Sequence, residues 1–162
     1  MLDPARGDTS ALGSILAFLA EIGIAASEGG VPSDSFLPGI RVAHGTLVFD
    51  RAALKWPGDL LHEAGHIAVT PAAERALLDD AMQGSAGAEL TGEVEAIAWT
   101  YAACAHLRID PAIVFHAGGY RGHSQGLLFG FSMGVYPGAH GLVLAGMAAP
   151  GGYPRMVRWV RE

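Results

Sequence analysis

The stretch Asp59–Pro71, DLLHEAGHIAVTP, sets two histidines and a glutamate into an otherwise apolar helical run. Residues four apart in an α-helix lie on one face, about a turn from each other. His62 and His66 can therefore both aim an imidazole nitrogen at one ion, at the short bond length zinc needs. Glu63 is adjacent in angle but aligned with neither, which suits it to a water beside the ion rather than to the ion. This is the H-E-x-x-H arrangement, and each residue type has a mechanical reason to be there. Shuffling this composition would give the pattern in roughly one or two sequences per hundred, so the surroundings must carry part of the weight. The competing reading is a helix with partly exposed histidines and a solvated Glu.

A catalytic zinc takes three protein ligands and keeps a fourth position open. The next long helix begins GEVEAIAWTYAA (residues 92–103) and offers Glu93 and Glu95. These two point about 200° apart, so only one can face the ion. The blander role for acids at that position is a favourable interaction with the helix N-terminus.

Working outward, the chain divides into recognisable elements. A first helix is expected from Thr9 to Ser27, capped by Thr9 or Ser10 and ended by Gly29-Gly30. The loop EGGVPSDSFLPG (28–39) follows, and IRVAHGTLVFD (40–50) reads as a β-hairpin turning at His44-Gly45. That turn sets Val42 opposite Leu47 and Ile40 opposite Phe49, all on one face. The motif helix starts at Pro57 and stops before Pro71. The loop MQGSAGAELTG (82–92) leads to a helix from about Ala88 to Leu107. A short helix capped by Asp110 comes next, then helices near Ser124–Met133 and Gly141–Met147.

With 162 residues, the chain is read as one domain spanning 1–162, large enough for a real core. Hydrophobic residues make up 51% and charged residues 16%, which excludes a disordered chain. A formal net charge of −6 argues against a nucleic-acid partner. Cys104 is the single cysteine, so no internal disulfide can form. The N-terminus MLDPARGDTS lacks the basic start of a signal peptide, and the apolar run at 11–26 is too short to span a bilayer. A cytoplasmic protein without a membrane span is expected.

HEAGH followed by a helical Glu motif resembles the gluzincin branch of the zincin metallopeptidases. EVEAIAWTYAA is similar to the E-x-E-A-(N/D)-x-x-A helix of small ImmA/IrrE-type gluzincins, a likeness covering residues 40–107. The resemblance implies an α+β zincin-like fold, with a β-hairpin or small sheet packed on the motif helix and on a second, Glu-bearing helix. It also implies Zn2+ as cofactor, His62, His66 and Glu93 as ligands, and Glu95 as a neighbour of the ligand. Ile97 departs from the pattern: related helices often carry Asp or Asn four residues after the ligand. The hydrogen bond that steadies a ligand histidine must then come from elsewhere.

The function expected on these grounds is zinc-dependent hydrolysis of peptide bonds in a peptide or protein substrate, with Glu63 as general base. The alternative is a non-catalytic zinc-binding module that recognises a protein partner. An oxyanion donor is sought in FHAGGYRGHSQG (115–126), where His116, Tyr120, Arg121 and His123 are candidates. His44 and His140 read as loop residues. Cys104 and His106 read as packing residues, His106 lying roughly 20 Å along its helix from Glu93.

Overall fold

A computed structural model describes residues 4–79 and 92–162, with side chains from residue 10 onward. The fold is α+β: helices gathered around a small three-stranded sheet. Helix α1 is Pro4–Ile22, followed by strands β1 (Ala26–Glu28), β2 (Ile40–Ala43) and β3 (Thr46–Phe49). Then come α2 (Pro57–Val69), α3 (Ala72–Arg75), α4 (Glu93–Leu107), α5 (Pro111–Val114), α6 (Ser124–Ser132) and α7 (Ala139–Leu144). The expected loop at 82–92 and the start of the expected helix at 88–91 fall mostly outside the described residues.

The hairpin forms in the register expected, with Ile40 opposite Phe49 and Val42 opposite Leu47. His44 and Gly45 both take positive φ, 51° and 72°, the twist a two-residue turn between right-twisted strands requires. All four inward residues are buried.

The first helix departs from expectation at both ends. It begins at Pro4, so Thr9 and Ser10 are interior residues and not caps, and it ends at Ile22 instead of Ser27. Gly23, at φ 83°, closes it. The Ile24 amide donates to Leu19 O (2.9 Å) and the Gly23 amide to Ala20 O (3.3 Å), with Leu19 and Ile24 both buried. That is the Schellman closure. Residues 26–28, released from the helix, run parallel to β3 and give the order β1-β3-β2. The last two helices are also trimmed or shifted, to Ser124–Ser132 and Ala139–Leu144, which puts His140 on a helix and not in a loop.

Helix α2 is the centre of the molecule, packed by α1, α4, α5 and strands β2 and β3. Leu60, Leu61, Ala64, Ile67 and Ala68 are buried against Ile15, Phe18, Leu19, Leu47 and Trp99 in one core. Two glycines let neighbours come close. A Cβ on Gly58 would stand 2.5 Å from Ile113 O, and one on Gly65 would stand 3.1 Å from Ala96 O. Neither crossing would survive a larger residue without a shift.

The C-terminal carbonyls of α2 are taken up by the end of the chain. Arg161 donates to Ala68 O from its amide (2.9 Å) and to Val69 O from its guanidinium (3.3 Å), while Thr70 Oγ1 donates to His66 O (2.7 Å). A cation here also complements the negative end of the helix dipole. Among the described residues, no helix is long and apolar enough to cross a membrane.

Candidate metal centre

Of the thirteen residues of α2, eleven are buried, and the two that are not are His62 and His66. A helix this apolar keeps a solvent-facing stripe only where the histidines stand. Their side chains retain 12% and 28% of their exposure, so the site lies at the edge of the core.

The close crossing at Gly65 brings the first turn of α4 over that stripe. Glu93 Oε1 lies 3.3 Å from His62 Nε2, and Glu93 Oε2 lies 2.8 Å from His66 Nε2. The two Nε2 atoms are 3.2 Å apart. Corners of a tetrahedron about 2.0–2.1 Å from a central zinc lie about 3.3 Å from one another. The separations between the two nitrogens and between His62 and Glu93 are close to that edge length, while His66 and Glu93 stand closer, so two imidazoles and a carboxylate are gathered near the spacing of a zinc ligand set. His62, Glu63 and His66 likewise place one ligand atom each within 4.8 Å of the others, with Glu63 4% exposed.

The electrostatics follow from this crowding. Burial disfavours a charged Glu93, but hydrogen bonds from His62 and His66 outweigh it and hold its pKa well below the usual carboxylate range. Burial also works against a charged His66. The hydrogen bond with Glu93 and the fields of Glu63 and Glu93 prevail, and its pKa is raised.

Glu95 points elsewhere. It packs on α7, where a Cβ on Gly141 would meet its Oε1 at 2.4 Å, and its Oε2 is buried without a hydrogen-bond partner. The roughly 200° between the two acids is thus realised as two different neighbours.

The segment after α5 supplies one wall. His116 Nε2 is 2.6 Å from Asp59 Oδ1, and its Nδ1 accepts from the Gly118 amide at 3.1 Å. Its ring stacks on Trp56 at 4.3 Å between centroids. Burial raises the Asp59 pKa, partly offset by His116 and His62. Tyr120 makes an edge contact with His62, 5.2 Å between centroids, and its buried hydroxyl has no hydrogen-bond partner among the described residues. Burial, then the charges of Asp59 and Glu93, push its pKa up, so it stays a donor. Tyr120, Arg121 and Gly122 take positive φ in succession, and that tight turn is what aims the Tyr120 ring. Arg121 and His123 are exposed in the same turn. Of the four candidates, His116 contacts Asp59 and Tyr120 contacts His62, both on α2.

The remaining candidates stay apart. His44 is exposed in the hairpin turn and His140 is exposed on α7. Cys104 is fully buried, its thiol pushed up to about 12 by burial and then by Asp110, which makes it inert. His106 packs between Phe18 and Trp159.

Three contributors were not singled out from sequence. Asp59 lies one turn before His62 and Glu63, and an acid in a buried first turn was a readable signal. Thr100 lies two turns after Glu93, so it shares that residue's face. Trp56 carried no signal, because its role depends on His116 arriving from sixty residues away. No family model, curated protein or solved structure matches this chain.

Proposed function

We propose that the chain is a zinc-dependent metallopeptidase, with His62, His66 and Glu93 holding the ion and Glu63 as general base. The observation that carries this is the convergence of two Nε2 atoms and a bridging carboxylate on the one unburied stripe of α2. A zinc ion supplies Lewis acidity, lowering the pKa of a water and polarising the carbonyl to be cleaved. Glu63 takes the proton from the attacking water and delivers it to the leaving amine. Its place in the buried helix, within 4.8 Å of the ligand atoms of both histidines, supports that role. Tyr120, protonated and with its hydroxyl free, is the best placed donor for the developing oxyanion. The substrate class proposed is a peptide or protein.

The second reading is a zinc-binding module that grips a protein partner without cleaving it. Exposed Phe129 and Met133, one turn apart on and just after α6, favour it. Glu63→Gln separates the two. It preserves size but cannot take the proton, so zinc content should hold while cleavage of an unbiased peptide library falls about 100- to 10,000-fold. Equal cleavage by both proteins removes the peptidase assignment from this site. Zinc binding without any cleavage by the wild type favours the second reading.

A further inference from the structure

A metal-binding imidazole must present a lone pair to the ion, so its proton has to sit on the other nitrogen, and that proton needs an acceptor. His62 turns Nε2 toward Glu93 and His66, which leaves Nδ1 facing α4. Thr100 Oγ1 is 3.5 Å from Nδ1, a few tenths of an ångström longer than a usual N–H···O bond. Thr100 is fully buried, and its hydroxyl proton is already committed to Ala96 O at 2.7 Å. What Oγ1 can offer His62 is therefore a lone pair, and the bond can run in one direction only, from Nδ1–H to Oγ1.

The room for this contact is built into the helix crossing. A Cβ on Gly65 would stand 3.0 Å from Thr100 Oγ1, tighter than side chains ordinarily tolerate. The position four residues after Glu93, where an acid or amide could have reached a ligand histidine, holds Ile97, which is turned into the core.

We infer that Thr100 is a positioning residue for the metal centre, fixing His62 as the Nδ1–H tautomer with Nε2 directed at the ion. This rests on the zinc reading of the site. Outer-shell partners of metal ligands typically contribute 10- to 100-fold in affinity. Thr100→Val, nearly the same shape, should weaken zinc binding by about 10- to 100-fold in competition with a chromophoric chelator. Thr100→Ser keeps the hydroxyl and should recover most of the loss.

A packing role alone would not move the second readout, solvent exchange of the His62 Nδ1–H in zinc-loaded, 15N-labelled protein. That proton should be protected in the wild type and in Thr100→Ser, and exposed in Thr100→Val. Circular dichroism of the zinc-free variants verifies folding, and Thr100→Ala makes the same comparison if Thr100→Val does not fold. Equal zinc affinity and equal exchange in wild type and the hydroxyl-free variant overturn the inference while leaving the zinc site intact. A wild type that binds no zinc overturns the site itself, and this inference with it.

Discussion

Two carboxylate–histidine groupings lie within one turn of each other on α2, and they are built to opposite ends. Around Glu93, two imidazole nitrogens and one carboxylate stand 2.8–3.3 Å from one another at the edge of the core. Around Asp59, His116 has both ring nitrogens engaged, one face stacked on Trp56, and a side-chain exposure of 10%. In the first, two imidazoles at the edge of the core face one carboxylate. The second has both ring nitrogens of its histidine engaged by the protein and braces the segment that carries Tyr120. The difference between them is convergence on one carboxylate against saturation by the surrounding protein.

That contrast can be broken at either end. After Glu63→Gln, the largest effect should come from Tyr120→Phe, which removes the hydroxyl from the wall between the groupings. Loss of one oxyanion donor costs about 100- to 1,000-fold in kcat, with zinc affinity unchanged; steady-state kinetics on any peptide found by library screening measure it. An unchanged rate would assign the wall to packing.

Next comes the choice of acid on α4. Glu93→Gln should lower zinc affinity by more than about 100-fold, the upper figure for an outer-shell partner. Glu95→Gln should leave it near wild type, since Glu95 lies against Gly141. Isothermal titration of both variants decides, and the reverse pattern would show the register to be wrong.

The smallest effect sharpens the other side. His116→Ala strands the buried Asp59 carboxylate and should cost about 1–3 kcal/mol of stability, read from urea melts. Zinc affinity should hold. A loss of zinc with little loss of stability would move His116 from brace to ligand.

Much of this was readable in the chain. The hairpin was legible because turn and alternation agree: His44-Gly45 forces the register that buries Ile40, Val42, Leu47 and Phe49. The motif helix was legible because Pro57 and Pro71 fence it. The end of α1 was misread although Gly23 stood in the sequence, because the apolar run continues through Ile24 to Ala26 and masks the stop. Strand β1 is three residues long and exists only by pairing with β3, so no local pattern announces it. At the site, spacing along one helix revealed His62, Glu63 and His66. Asp59, Trp56 and Thr100 draw their roles from partners on other elements, and a single-helix pattern does not contain them.

Whether α2 and α4 together hold zinc can be measured without any substrate. The direct measurement is equilibrium dialysis of untagged protein against zinc, followed by elemental analysis of wild type and the His66→Gln variant. About one zinc per chain is expected in the wild type, as three-ligand sites bind, and little in the variant. Wild-type protein that takes up no zinc, or a His66→Gln variant that binds as well as the wild type, would contradict that expectation.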